Sequence, residues 1–263
     1  MAILSLKILD VNGNIKYEDC SEDVASLVVN EEYAEGDCIV VTSSEQNIHA
    51  WLQVDDALGA SLVYITGEVR YEILFGDKRR NISPKAFSGD RHYLYVRVAD
   101  KQELTQYRNL AYNPNDQHDI ENIYPHATAN AETRGECAFF ALNVIDGICE
   151  NRKHGRWPYQ AWGIAGREDA ALKIDFGRAI ETDRIDIYIR ADFPHDSWWT
   201  QATLTFSDGS SMVCELQKTR FAQKITFDKK QITWVAISEL KKADDPSPFP
   251  ALTQMEVYGT VLV

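Results

Sequence analysis

The sequence predicts an all-β protein built from two β-sandwich domains. Two observations carry this. Period-two alternation of apolar and polar residues dominates the chain, and the alternating runs are short, rich in β-branched residues and punctuated by Gly and Asn. Heptads, low-complexity tracts and short-period repeats are absent. The chain has 263 residues, 44% of them apolar and 25% charged, so a true core is expected and one large or two ordinary domains fit the length.

In the first 103 residues the strand candidates are SLKIL, SLVVN, DCIVVTS, SLVYITG and HYLYVRV, with turns at VNGN and AEGD. HYLYVRV places Tyr93, Tyr95 and Arg97 on one face and Leu94, Val96 and Val98 on the other. This half is expected to be a β-sandwich of unassigned role. A polar stretch follows, with the strong turn signal NPND. It sets a linker over residues 104–125, and part of KQELTQYRNL there has the composition of a short helix.

The second domain, residues 126–263, returns to alternation. ALKIDFG points Leu172, Ile174 and Phe176 one way, and RIDIYIR points Ile185, Ile187 and Ile189 one way. ATLTFSDGSSMVCEL reads as a hairpin turning at Asp208–Gly209. KITFD, ITWVAIS and QMEVYG complete the strands. The one helix candidate is ECAFFALNVIDG.

Charge and cysteines narrow the function classes. The net charge is −13, which argues against nucleic acid as a partner, because phosphate contacts need Lys and Arg. Fourteen acidic and two basic residues lie between Asp10 and Glu72, and the run GDKRRNISPKAFSGDR then adds Lys78, Arg79, Arg80, Lys85 and Arg91. That run either balances the acidic segment or contacts an anion. No uncharged apolar run is long enough for a membrane helix. The N-terminus lacks a basic region followed by an apolar one, so a cytoplasmic location is expected. The five cysteines, Cys20, Cys38, Cys137, Cys149 and Cys214, are odd in number, widely spaced and without a CxxC, which argues for free thiols.

The ordered set HATAN (126–130), NVIDG (143–147), ALKIDFGRAIETDRIDIYIR (171–190), ATLTFSDGS (202–210), TWVAISEL (233–240) and TQMEVYG (253–259) resembles a discoidin, or coagulation-factor type C, domain. The resemblance covers roughly half the chain, from His126 to Gly259. It implies a galactose-binding-like jelly roll, the fold of many carbohydrate-binding modules and lectins. It also implies a calcium site at Asp146 and Glu256, with Asn151 as a further ligand in a segment that departs from the family pattern. Against this, an Asp-Gly pair commonly caps a turn. Arg190-Ala191-Asp192 resembles the RxD of fucose-binding lectins. Ser197 stands where those lectins carry Lys or Arg, so fucose is not implied.

Three loops hold most of the aromatic and acidic excess of this half. HGRWPYQAWG supplies Trp157, Tyr159 and Trp162. RADFPHDSWWTQ supplies Arg190, Asp192, His195, Asp196, Trp198 and Trp199. KKADDPSPFPALTQ supplies Asp245. Sugars pack their C–H faces on aromatic rings and need hydrogen-bonding partners for their hydroxyls, so these residues are candidate carbohydrate ligands. Trp198 and Trp199, if extended, point to opposite faces, one inward and one toward ligand. There is no GxSxG, HExxH or P-loop, so the sequence reads as a non-catalytic carbohydrate-binding protein. A protein-docking patch on the same loops, or a carbohydrate-active hydrolase, are the alternatives.

Overall fold

The computed structural model describes residues 1–262. Every strand pairing in it is antiparallel.

The first domain contains β1 (Ile3–Leu9), β2 (Ile15–Glu22), β3 (Val24–Val29), β4 (Cys38–Ser43), β5 (Ile48–Gln53), β6 (Ser61–Ile65), β7 (Val69–Glu72) and β8 (His92–Val98). β2-β1-β4-β7 form one sheet, and β6-β5-β8-β3 form the body of a second. The alternation explains the packing. Leu4, Leu6 and Ile8 of β1 meet Ile39 and Val41 of β4, and Leu52, Leu94 and Val96 of the facing sheet, in one buried cluster. Two apolar faces back to back make a sandwich.

Residues 104–125 do more than link. After the single-turn helix α1 (Lys101–Leu104), β9 (Arg108–Asn109) pairs with the last strand of the second domain, and β10 (Ile123–Tyr124) pairs with β6. The NPND turn is buried, because its amides have work there. Asn115 Nδ2 donates to the Leu52 carbonyl at 3.1 Å and to Ser61 Oγ at 3.0 Å. Ser61 Oγ lies 3.0 Å from Asn113 Oδ1. Farther along the interface Asn81 Nδ2 donates to Asn143 Oδ1 at 3.0 Å.

The second domain holds β11 (His126–Ala129), β12 (Trp162–Gly163), β13 (Leu172–Ile189), β14 (Trp199–Phe206), β15 (Ser211–Glu215), β16 (Gln223–Lys242) and β17 (Ala251–Val261). They join in the order β12-β17-β13-β16-β14-β15. β13 and β16 are long, and register shifts between Asp175 and Ile180 and between Thr182 and Arg184 interrupt their pairing; such bulges bend strands. Ile174, Phe176, Ile185, Ile187, Leu204, Phe206, Val235 and Ile237 fill the core. ECAFFALNVIDG is not an α-helix. It folds as two 3-10 turns, Cys137–Phe139 and Ala141–Ile145, preceded by a third at Thr133–Gly135. All five residues from Ala141 to Ile145 are buried, so the segment lacks the polar face of a surface helix.

Candidate functional site

The sheet register brings the three aromatic loops to one end of the second domain. Ile189 and Trp162 both pair with Leu252, and Trp199 pairs with Lys242. The segment before β12, the β13–β14 loop and the β16–β17 loop therefore start or finish side by side. Hydrogen bonds then tie the last two together. The Arg190 N–H donates to the Ala251 carbonyl at 2.9 Å, the Ser197 N–H to the Phe249 carbonyl at 3.2 Å and the Ala243 N–H to the Trp198 carbonyl at 2.9 Å. Ser197 Oγ donates to Asp245 Oδ1 at 2.8 Å, and Ser247 Oγ donates to the His195 carbonyl.

Between the loops lies a cavity of about 450 Å³. Its lining is part polar, with His154, Arg190, His195 and Asp196, and part apolar, with Phe139, Ile164 and Pro248–Phe249–Pro250; Thr133 and Arg134 also contribute. Gly163 lines it too: a Cβ there would sit 2.7 Å from Thr133 Oγ1, so only glycine lets these walls approach.

Arg190 organises the polar part from inside. It is 2% exposed. Its Nη1 donates to the Tyr159 carbonyl, Nη2 donates to the Lys153 carbonyl at 2.8 Å and to His154 Nδ1 at 3.2 Å, and Nε faces Asp196 Oδ2 at 3.5 Å. Asp196 Oδ2 also accepts the Asp192 N–H at 2.8 Å, and Oδ1 lies 3.1 Å from His195 Nδ1. A guanidinium so engaged braces the loops. Its acidic partner is Asp196; Asp192 contributes its main chain, which closes a turn with Asp196.

The aromatic platform differs from the one expected. Trp162 and Trp199 are both 0% exposed and lie 6.4 Å apart in the core. The Trp162 indole donates to the Ala131 carbonyl at 2.8 Å. Trp198 is half-buried against the same core, and Trp157 is half-buried with its indole nitrogen enclosed. None of the four lines the cavity. The rings on the rim are Phe249, 58% exposed, stacked on His195 at 5.6 Å, and His154, 4.3 Å from His195. Tyr159 buttresses His154 edge-on at 5.9 Å from below. Asp245 serves as a clasp to Ser197 and Lys242, away from the cavity. His154, Phe249, Phe139, Thr133 and Arg134 complete the site. The first two sit in loops conspicuous in the sequence, and the last three are hidden in and just before a segment with a helix-like pattern.

The residues proposed for calcium do not fit it. Asp146 Oδ1 accepts the Ile148 N–H at 2.7 Å and the Gln254 amide at 2.5 Å, and Oδ2 accepts the Gln160 amide at 2.7 Å. Burial raises this carboxyl to about 7 despite those donors. Gln254 Nε2 also donates to the Asn143 carbonyl at 2.7 Å and the Thr253 carbonyl at 2.9 Å, while its Oε1 accepts the Gly147 N–H at 3.0 Å. The carbonyl oxygens that a cation would need converge on an amide nitrogen instead. Glu256 accepts from the Tyr258 hydroxyl at 3.0 Å, and the Asn151 amide donates to the Ile189 and Arg220 carbonyls, each at 2.9 Å. The Asp-Gly pair works as a turn: Gly147 has φ +82°, and a Cβ there would meet the Tyr112 ring at 2.4 Å.

Two other groups bring metal-ligating atoms within 4.8 Å of one another, His154–His195–Asp196 and Asp55–Asp56–His92. In the second, both His92 nitrogens are engaged, by Asp55 and the Gly89 carbonyl, and Asp55 also accepts the Phe87 and Ala57 N–H groups. In the first, the Arg190 cation already sits against His154. All five cysteines are free thiols. The basic run pairs locally, Lys78 with Glu72 at 2.8 Å and Arg80 with Asp77 at 2.7 Å, as charge balance requires. No helix among the described residues is long and apolar enough to cross a membrane.

No protein-family model and no curated protein matches this chain. Solved structures similar to it include chitosan-binding module 1 of a chitosanase/glucanase from Paenibacillus sp. IK-5, with 19% identity over 57% of this chain and 98% of that one at a TM-score of 0.39. The family 32 carbohydrate-binding module of C. perfringens NanJ, in complex with galactose, has 18% identity over 50% and 91% of the two chains at 0.39. The lectin domain of lectinolysin, in complex with Lewis B antigen, has 12% identity over 58% and 97% at 0.44.

Proposed function

We propose that the protein binds carbohydrate, without transforming it, in the three-loop cavity. One observation carries this reading: the cavity lining combines apolar surface with hydrogen-bonding side chains. Phe139, Ile164 and the Pro248–Phe249–Pro250 run share a space of about 450 Å³ with His154, His195 and Asp196, and Phe249 stacks on His195 at 5.6 Å. A pyranose likewise combines a C–H face with a hydroxyl edge, and Phe249, 58% exposed, offers ring surface to the first. The space accommodates a small ligand.

The lining also speaks against hydrolysis. Among the described residues, Asp196 is the one carboxylate that lines the cavity, and glycoside cleavage ordinarily needs two. Titration calorimetry against a panel of mono- and oligosaccharides tests the reading. At least one saccharide should bind, and Phe249→Ala should weaken it by about tenfold or more, the worth of an aromatic contact. If no saccharide gives heat or an NMR shift at millimolar concentration, the patch is a protein-docking surface.

A further inference from the structure

His154 and His195 stand side by side on the cavity rim, and each has one ring nitrogen engaged by a group of known polarity. Arg190 Nη2 lies 3.2 Å from His154 Nδ1. A guanidinium only donates. Nδ1 of His154 therefore keeps its lone pair, and the proton of the neutral ring sits on Nε2. Asp196 Oδ1 lies 3.1 Å from His195 Nδ1. That carboxylate is held between the Arg190 guanidinium and the Asp192 N–H, and a carboxylate only accepts. In the neutral ring Nδ1 of His195 therefore carries the proton, and Nε2 keeps the lone pair. Neither Nε2 has a hydrogen-bond partner among the described residues.

We propose that the two imidazoles form a matched donor–acceptor pair that grips two adjacent hydroxyls of a neutral saccharide. His154 Nε2–H donates to one hydroxyl oxygen, and His195 Nε2 accepts from its neighbour. Arg190 and Asp196 are positioning residues that set the two tautomers. A vicinal diol answers both groups, since each hydroxyl donates and accepts. A phosphate or sulfate group offers mostly acceptors and leaves the His195 lone pair unanswered. Burial, then the nearness of His195 and Arg190, lowers the His154 pKa. The same geometry opposes a transition metal, because the ion would need the His154 lone pair that Arg190 occupies.

The diol assignment rests on the carbohydrate reading, and the test separates the two. Long-range 1H–15N correlation spectra of the full-length protein, labelled in histidine, read the tautomers at pH 8 without any ligand. The expected result is protonated Nε2 for His154 and protonated Nδ1 for His195. Methyl glycosides that bind are then titrated beside their monodeoxy analogues. Removing either of two adjacent hydroxyls should cost about tenfold in affinity, one hydrogen bond each, and removing others little. His195→Phe should cost a similar factor, and His195→Gln, which keeps an acceptor, should recover most of it. The same tautomer on both rings, or affinity insensitive to every deoxy change, overturns the diol assignment and leaves carbohydrate binding standing. Tighter binding of zinc chloride or inorganic phosphate than of any glycoside overturns it as well. Correct tautomers with no glycoside bound at millimolar concentration overturn both proposals.

Discussion

Two sites in the second domain use similar side chains in opposite ways. Around the Asp-Gly turn, Asp146, Gln160 and Gln254 close their hydrogen bonds on one another and on the main chain. At the cavity rim, His154 and His195 each spend one nitrogen inward, and Phe249 lies open to solvent. The first arrangement has nothing left to offer a ligand. The second has, and it can do so because Arg190 and Asp196 beneath it are buried and engaged. Polar residues in a loop mark a binding site only when some of their hydrogen-bonding capacity is left over.

The largest expected effect tests the buried layer beneath the rim. Trp199→Ala should cost about 3–5 kcal/mol of stability, as large-to-small changes of buried aromatics do, measured by urea unfolding. A cost below about 1 kcal/mol would mean that Trp199 is a surface residue. Next comes the closed turn. Gln254→Glu sets a second carboxylate against Asp146 in place of the amide donor. At pH 8 in chelator it should lose about 3–5 kcal/mol, the cost of an uncompensated buried charge, and millimolar calcium should restore part of that. The wild type should melt at the same temperature with calcium and with chelator. A rise with calcium would show that the turn holds a cation after all.

A smaller effect is the pH dependence of that turn. The folded state keeps the Asp146 carboxyl protonated up to about 7, against an ordinary value of 3.8. Between these values the folded state binds a proton that the unfolded chain has released. The contribution of Asp146 to stability is therefore greatest below that window and falls as pH rises through it, by at most about 1.4 kcal/mol per pH unit. Above about pH 7 it is flat. Asp146→Asn should remove this slope from the stability profile; an unchanged profile would put the titration elsewhere. The smallest effect belongs to the rim: Phe249→Ala should change stability by less than about 0.5 kcal/mol while weakening saccharide binding.

Much of the fold was legible because strand alternation reports directly on burial. Leu172, Ile174 and Phe176, and then Ile185, Ile187 and Ile189, are as buried as their spacing demands. The site was legible as three loops but not as atoms. Trp162 and Trp199 stand at strand starts, where register decides whether an indole enters the core, and no local pattern encodes register. Arg190 and Asp192 look like a pair in sequence, yet the chain turns so that Asp196 meets the guanidinium. Phe249 is held between prolines, and it was the Trp residues, being larger, that drew the sugar-platform assignment. Thr133, Arg134 and Phe139 were out of reach, since the cavity lining they form depends on 3-10 turns where apolar spacing suggested a helix.

The amides at the domain boundary carry one more consequence. Asn113 and Asn115 are buried, and Asn115 holds the main chain of β5 while Asn113 Nδ2 donates to the Pro125 carbonyl at 2.9 Å. Leu62, Ala99 and Leu104 meanwhile pack into the core of the second domain. Neither half can unravel without stranding these groups in the other. Heating the protein should therefore produce a single calorimetric peak whose van't Hoff and measured enthalpies agree, and the cavity should travel with the first domain as one rigid hydrodynamic body rather than swing on a tether.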